Sequence, residues 1–198
     1  MDRPLQVGIT GGIGTGKSLV SRIFNCLGAP VYDADRQAKK LMTSDGILIE
    51  QIKKEFGTSS YRKDGSLDTF YLSKATFGDQ KKLEKLNLLV HPRVAYDYHQ
   101  WVEAQNDHKY VLREAALLYE AGIYTSIDKM IVISSTLEIR MKRIMARDPQ
   151  RTEEDIKAIM KSQWSEEEKI KRADFIIYND DRQLIIPQVL KLHALFIS

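Results

Sequence analysis

The sequence predicts an α/β fold in which a parallel sheet of about five strands is flanked by helices. The first observation is that short apolar runs alternate with segments of helical periodicity, which is typical of parallel strands joined by helical crossovers. The second is a glycine-rich loop between the first strand and the first helix. The third is that two stretches break the alternation and so predict insertions at the edge of the sheet.

The predicted strands are short apolar runs bounded by turn residues, and they span residues 5–10, 31–32, 109–114, 129–135 and 174–178. The first helix is expected from about Lys17 to Leu27. The closing helix presents four apolar residues on one face, namely Ile185, Val189, Leu192 and Phe196. Two more helix starts are predicted at Thr152 and Ser165, since each is followed three residues later by an acidic residue, the pattern of a capping box.

The two stretches outside the alternation are residues 33–105 and 140–171. The first is an all-helical block too long for one crossover, and the second is a charged segment between the fourth and fifth strands. Both are expected at the strand ends where α/β proteins bind ligands. Within the first block, Pro92 predicts a break or kink after His91, because proline disfavours a helical residue before it.

Composition and charge exclude several classes of protein. Of 198 residues, 43% are hydrophobic, which is enough for a core, and the formal net charge is only +3. No block of about five to eight basic residues occurs, so a nucleic-acid partner is not expected. No apolar run approaches the ~20 residues of a membrane span, and the first residues lack a signal peptide's apolar centre. We therefore expect no membrane partner and a cytoplasmic location.

Cys26 is the single cysteine, which excludes an intrachain disulfide. It lies in an apolar helical stretch, so we expect it to be buried in packing rather than reactive.

Residues 11–18, GGIGTGKS, match the pattern G-x-x-x-x-G-K-[ST] between a strand and a helix. Such a loop predicts a P-loop NTPase-type core that binds the phosphates of ATP, since glycines let backbone amides and a helix N-terminus face an anion. Lys17 is expected to reach the β- and γ-phosphates, and Ser18 to offer its hydroxyl to Mg²⁺. The predicted nucleotide-binding residues of the loop are Gly12, Gly14, Thr15, Gly16, Lys17, Ser18 and Leu19. The motif alone does not distinguish GTPases, ATPases and kinases.

Asp33 and Asp35 follow the second strand and are expected near the phosphates. A kinase needs a carboxylate there to orient, and even deprotonate, the accepting hydroxyl. Asp33, at the end of the strand, is the candidate for this role. Either residue could instead cap the helix that begins at Ala34, and for Asp35 the two alternatives stay open.

Arginines recur in the second stretch, at Arg140, Arg143, Arg147 and Arg151. Arg143 and Arg147 are four residues apart and so share one helix face. Arginines on a mobile flap can close over a transferring phosphoryl group and neutralise its charge. The alternative is a solvated basic face balanced by nearby glutamates, namely Glu153, Glu154 and Glu166.

These motifs together resemble the dephospho-CoA kinase family. The loop reads as the family's G-G-I-G-[ST]-G-K-S, and residues 143–148 match its lid pattern R-[LIM]-x-x-R-[DN]. Other family elements occur in order from about residue 5 to 180: Tyr32–Ala38, Gly65–Asp68, Phe77-Gly78-Asp79, His91-Pro92-Arg93, Ala116–Glu120, Gln163, Ala173-Asp174 and Asn179.

The resemblance implies ATP-dependent phosphorylation of the ribose 3′-hydroxyl of dephospho-CoA, the last step of coenzyme A synthesis, with Mg²⁺. It implies one domain over residues 1–198. Residues 1–32, 106–139 and 173–198 would form the nucleotide-binding core, residues 33–105 a helical acceptor-binding insertion, and residues 140–172 a helical lid. The expected partner is the small-molecule substrate. The absence of an apolar heptad seam leaves a monomer or a weak homo-oligomer as the expected state.

Individual roles are implied in the same way. Asp33, Lys17 and Arg143 would be catalytic, with Asp33 the candidate base. Arg143 and Arg147 would contact phosphates from the lid, and Asn179 would lie beside the adenine ring. Asp35 and His91 would bind the acceptor.

The sequence departs from the family pattern at four positions. Ala116 replaces the usual proline, and Leu19 a common threonine. Arg140 stands where glutamine is frequent, and Ile159 where arginine is frequent. The last two concern the lid and its contact with phosphates.

Two other functions remain compatible with the loop. One is a kinase of nucleoside monophosphates or another small metabolite with the same core. The other is a non-catalytic nucleotide switch, which would bind ATP without transferring phosphate and would leave residues 33–105 unexplained.

Overall fold

The computed structural model describes residues 3–76 and 79–198. The chain divides into two compact units. One comprises Met1–Asp33 and Val102–Ser198, and the other is Ala34–Trp101. No helix within the described ranges is long and apolar enough to cross a membrane.

A five-stranded parallel sheet of order β2-β3-β1-β4-β5 forms the centre of the first unit. Its strands are β1 Leu5–Thr10, β2 Val31–Asp33, β3 Tyr110–Glu114, β4 Lys129–Ser134 and β5 Phe175–Tyr178. The central strand β1 pairs with β3 on one side and β4 on the other. The predicted parallel α/β fold is confirmed, and each strand limit lies within about one residue of the expected one, the usual uncertainty of strand ends.

The described residues contain nine α-helices: α1 Lys17–Cys26, α2 Ala34–Ser44, α3 Gly46–Phe56, α4 Thr69–Thr76, α5 Gln80–Glu103, α6 Leu137–Arg147, α7 Glu153–Lys161, α8 Glu166–Lys171 and α9 Ile185–Ile197. Short 3₁₀ turns occupy Thr58–Ser60 and Ile123–Ser126. Helices α2 to α4 and most of α5 belong to the second unit.

The apolar core of the first unit packs strands β1, β3, β4 and β5 against α1 and α9. Helix α9 buries Val189, Leu192 and Phe196, with Ile185 partly buried, as its periodicity predicts. Burying each large apolar side chain of this kind contributes about 1.5–3 kcal/mol. This packing fixes α1, and with it the loop that precedes α1.

Cys26 is exposed, so the prediction that it is buried is wrong. Helix α1 directs Val20 and Phe24 into the core. Cys26 follows Phe24 by two residues, which is about 200° around the helix, on the opposite face. Cys26 is therefore exposed even though its neighbours along the chain are mostly apolar.

The sequence predicted a break or kink at His91-Pro92; helix α5 continues through Pro92, so the prediction of a break is wrong. Proline removes one helical hydrogen bond and crowds the preceding turn. The helix nevertheless buries Val90, Val94 and Tyr98, one above the other at intervals of four residues. Packing of this stripe outweighs the local cost, as tertiary contacts commonly do.

Both predicted helix starts after α6 are capped. At α7 the capping box is complete: Thr152 Oγ1 accepts from Asp155 N–H at 3.1 Å, and the Asp155 carboxylate accepts from Thr152 N–H at 3.0 Å. At α8, Ser165 Oγ accepts from Glu168 N–H at 3.2 Å, while the Glu168 carboxylate pairs with Arg172.

A buried ion pair anchors α8 to the segment after β3. Lys169, with its side chain 1% exposed, places Nζ 2.8 Å from Glu120 Oε1. Its ammonium also donates to the Ala116 carbonyl at 3.3 Å, and Glu120 Oε1 accepts from Trp164 N–H at 2.7 Å. These shared partners hold both ends of the Gln163–Lys169 stretch against the sheet.

We predict that Lys169→Ala lowers the free energy of unfolding by about 3–5 kcal/mol, because the Glu120 carboxylate is left buried without its counter-charge. Lys171→Ala on the same helix is the control, since that side chain is 69% exposed, and it should cost less than about 1 kcal/mol. Urea denaturation followed by circular dichroism measures both. Equal losses in the two variants would contradict the role assigned to the buried pair.

Candidate active site

The loop at residues 11–16 joins the end of β1 to the start of α1. Gly14 and Gly16 have φ of +82° and +92°, the left-handed region that favours glycine. A Cβ at Gly16 would also overlap Nδ2 of Asn179. Gly14 and Gly16 are therefore required by the backbone shape of the loop, and Gly16 also by the close approach of the Asn179 side chain.

Side chains of the loop itself maintain its curvature. Lys17 Nζ donates to the carbonyls of Gly11 at 2.9 Å and Gly12 at 3.2 Å. Thr15 is fully buried, and its Oγ1 donates to Gly12 O at 2.9 Å. The two hydrogen bonds from Lys17 hold its ammonium over the loop.

Ser18 donates its hydroxyl to Glu114 Oε1 at 2.9 Å. Glu114 is the last residue of β3 and is 8% exposed. It stands in register with Ile9 of β1 and with Asp33 at the end of β2. The two carboxylates therefore terminate neighbouring strands beside the loop.

Glu114 was missed by sequence reasoning. The available signal was a carboxylate as the final residue of a predicted strand, the same signal that singled out Asp33. Its strand, β3, lies between β2 and the loop-bearing β1, which a chain order of strands does not reveal.

Arg143 of α6 is tied to the segment that follows β5. Its guanidinium donates to Asn179 O and Oδ1, both at 3.1 Å, and lies 2.9 Å from Asp181 Oδ1. Asn179 is 6% exposed, and its Nδ2 donates to Thr15 O at 2.8 Å. Asn179 thus links the arginine to the phosphate loop through one side-chain amide.

Arg147 lies one turn further along α6 and pairs with Asp148. Its Nε and Nη2 donate to the two carboxylate oxygens at 3.1 and 2.8 Å. Arg143 and Arg147 line a cavity of about 190 Å³ together with Gly14, Gly16, Lys17, Ser18, Leu19 and Ile144. The structure therefore places both predicted lid arginines and four of the eight residues 11–18 around one small cavity.

A larger cavity of about 530 Å³ shares Leu19 with the first cavity and is also lined by Asn179. Its wall is mostly apolar, and a few polar groups interrupt it. The lining residues are Leu19, Ile23, Asn179, Asp181, Arg182, Gln183, Leu184, Ile185, Ile186 and Pro187. An apolar cavity with few polar groups is typical of a site for an organic ring.

The residues expected on the acceptor side lie in the other compact unit. Asp35 is in the first turn of α2 and His91 is in α5, and both are exposed. Of the family element Phe77-Gly78-Asp79, Phe77 and Gly78 lie outside the described residues. Asp33, the loop and the arginines belong to the first unit.

The sheet, the loop and the helices that surround them define a P-loop NTPase-type fold. A shikimate kinase structure from Bacteroides thetaiotaomicron has this fold, with a TM-score of 0.53 at 14% identity over 96% of this chain and 97% of that one. At higher similarity, a Thermus thermophilus protein of known structure matches with a TM-score of 0.87 and 29% identity over the full length of both chains. A dephospho-CoA kinase structure from Campylobacter jejuni matches with a TM-score of 0.64 and 27% identity over 97% of each chain.

Sequence comparison identifies the particular family. The dephospho-CoA kinase family model matches residues 5–184. A dephospho-CoA kinase from Bacteroides fragilis is 34% identical over 190 residues, covering 96% of this chain and 92% of the relative. One from Fusobacterium nucleatum is 39% identical over 174 residues, covering 88% and 89%. The chain belongs to the dephospho-CoA kinase family, as its motifs predicted.

The pKa of Asp148 reports whether Arg147 is hydrogen-bonded to it. The hydrogen bond from Arg147 is the main cause that holds the pKa of this carboxyl below its usual 3.8, and the charge of Arg151 adds to it. Because the pKa is depressed, the pair is intact at neutral pH and is lost only as the pH falls through that lowered pKa. We predict that Arg147→Ala raises the pKa of Asp148 towards 3.8, and that Arg151→Ala raises it less.

Carboxyl-carbon NMR titration of Asp148 measures both shifts. A larger rise in the Arg151→Ala variant would show that Arg147 is not the principal partner.

Proposed function

We propose that this chain transfers the γ-phosphoryl group of ATP to the ribose 3′-hydroxyl of dephospho-CoA, giving coenzyme A and ADP. Membership of the family supports the acceptor. The observation that carries the donor half is the convergence of Lys17, Ser18, Arg143 and Arg147 on one cavity at the end of β1. Such convergence of cations and a helix N-terminus is the arrangement that a polyphosphate requires.

The phosphates are held by the loop and by Lys17. Amides at the start of α1 face them, and the helix N-terminus favours their charge. Arg143 and Arg147 then neutralise charge on the transferring group, in a cavity from which the lid excludes water. Arg143 pairs with Asp181 and Arg147 with Asp148, so bound phosphates would compete with these carboxylates for the two guanidinium groups.

Ser18 and Glu114 fit a magnesium ion. Both present hard oxygen ligands at the mouth of the loop, 2.9 Å apart. Within the described residues no cluster of three or more His, Cys, Asp or Glu side chains is placed to hold a metal. Mg²⁺ is typically held by one or two protein groups together with phosphates and waters, and Ser18 and Glu114 would be those protein groups. When bound there, the ion would neutralise negative charge on the phosphates.

Asp33 is the candidate to orient the accepting hydroxyl. It ends β2, is half-buried, and stands in register with Glu114. Phosphoryl transfer passes through a loose transition state, in which little proton removal is needed. The main role of the carboxylate is therefore to position the hydroxyl. Asp33 would accept the hydroxyl's hydrogen bond and its proton as transfer completes.

The larger cavity is assigned to the adenine ring. Its volume of about 530 Å³ and the apolar side chains Leu19, Leu184 and Ile186 suit a flat heterocycle. It adjoins Asn179, the residue that the family resemblance associates with adenine. On the acceptor side, the same resemblance supports contacts of Asp35 and His91 with dephospho-CoA.

The acceptor is tested by incubating the purified protein with Mg·ATP and either dephospho-CoA or a panel of nucleoside monophosphates. We expect ADP and coenzyme A to form in equal amounts with dephospho-CoA, and no transfer to the monophosphates, as measured by chromatography. Turnover with the monophosphates alone would replace the proposed acceptor. Binding of ATP without transfer to any acceptor would indicate a nucleotide switch.

The role of Asp33 is tested by Asp33→Asn, which should leave ATP affinity near normal and reduce kcat by roughly 10²–10⁴-fold, since the lost interaction belongs to the transition state. Lys17→Ala should reduce both affinity and kcat. Asp107→Asn, at an exposed carboxylate of the same unit, is the matched control. Calorimetric ATP binding and steady-state kinetics separate the two effects. Near-normal turnover of Asp33→Asn would exclude Asp33 as the base.

A further inference from the structure

Ile13, in the middle of the phosphate loop, has both backbone polar groups bound by side chains from outside the loop. Its N–H donates to Gln163 Oε1 at 3.0 Å. Its carbonyl accepts from Arg140 Nε at 2.9 Å. Arg140 lies in α6 and Gln163 lies between α7 and α8, so two separate segments grip one loop residue.

Arg140 is itself held in place. Its side chain is 11% exposed, and its Nη1 lies 3.3 Å from Glu166 Oε2. The other oxygen of Glu166 accepts from the Ser134 hydroxyl and from Ser135 N–H, at the end of β4. Burial lowers the pKa of Arg140, and the negative charge of Glu166 opposes that effect. The arginine therefore connects the loop to the neighbouring strand through a fixed carboxylate.

Gly12 makes room for this arrangement. A Cβ at position 12 would overlap the Nη2 and Cζ atoms of Arg140. The guanidinium thus occupies the space that any other residue's side chain would take. Since Arg140 is anchored at both ends, it could not move aside without losing Ile13 or Glu166.

We propose that Arg140 and Gln163 are positioning residues that hold Ile13 from both sides and so fix the phosphate loop in its phosphate-binding shape. The inference rests on the proposed function in taking nucleotide phosphates as the ligand of the loop. Neither residue touches the reacting atoms. Their effect is to order the loop before ligand arrives, which reduces the entropy lost on binding.

The same contacts couple the loop to the lid. Arg140 and Arg143 are three residues apart on α6 and so lie on one side of the helix. Displacement of α6 would therefore move the arginine that faces the phosphates and the arginine that fixes the loop together. Gln163, which follows the C-terminal end of α7, connects that helix to Ile13 of the loop in the same way.

The test compares Arg140→Ala, Gln163→Ala and the double variant, with Lys142→Ala as the control because Lys142 is exposed on the same helix. Calorimetric affinity for Mg·ATP is measured without acceptor, and kinetics with acceptor follow. Each single variant should weaken ATP binding about tenfold, the loss expected for a charge-assisted or buried hydrogen bond. The KM for ATP should rise in parallel, with the KM for the acceptor and the control unchanged.

The two residues act on one loop position. The affinity of the double variant for ATP should therefore be only slightly lower than that of whichever single variant binds ATP more weakly. A double-mutant cycle measures this departure from additivity. Arg140→Lys keeps a cationic donor and should lose less affinity than Arg140→Ala. If Arg140→Ala does not fold, Gln163→Ala and Arg140→Lys carry the same measurement.

Three results would overturn the proposal: losses that multiply independently in the double variant, unchanged ATP affinity with only a lower melting temperature, or equal losses in Lys142→Ala. Failure to phosphorylate dephospho-CoA would not affect this test, since affinity for ATP is measured with no acceptor present.

Discussion

The parallel pairing of β1 between β3 and β4 is the constraint on which the rest of the structure depends. Because parallel strands end at the same edge of a sheet, this pairing delivers Glu114, the phosphate loop and Ser134 side by side. The core under β1, packed by α1 and α9, then fixes the direction of α1, the helix that begins directly after the loop. The residues of the candidate site are therefore positioned from the C-terminal ends of these strands.

Besides its own side chains, distant side chains stabilise the loop by binding its backbone groups. Asn179 binds the carbonyl of Thr15, Gln163 the N–H of Ile13, and Arg140 the carbonyl of Ile13. A glycine-rich segment has a large conformational entropy to lose, and these bonds constrain it at several points. The buried Lys169–Glu120 pair, in turn, holds α8 where Glu166 meets β4.

Much of the fold and part of the site could be predicted from the sequence because the signals are local. Apolar runs locate the strands to within about a residue, the spacing of Gly11 to Ser18 specifies a loop, and the four-residue interval of Arg143 and Arg147 places both on the cavity. What was missed depends on contacts between distant segments. The continuity of α5 through Pro92, the exposure of Cys26 and the approach of Glu114 to Ser18 are decided by which faces pack together. No window of residues along the chain contains that information.

The exposed Cys26 has a practical consequence. It is the only thiol in the chain, and it ends α1. A helix of this length separates it from the phosphate loop by about 15 Å. A fluorescent or spin label attached there would lie at the C-terminal end of the helix whose N-terminus adjoins the loop. Events at the loop could thus be observed through a single covalent probe without altering any residue of the site.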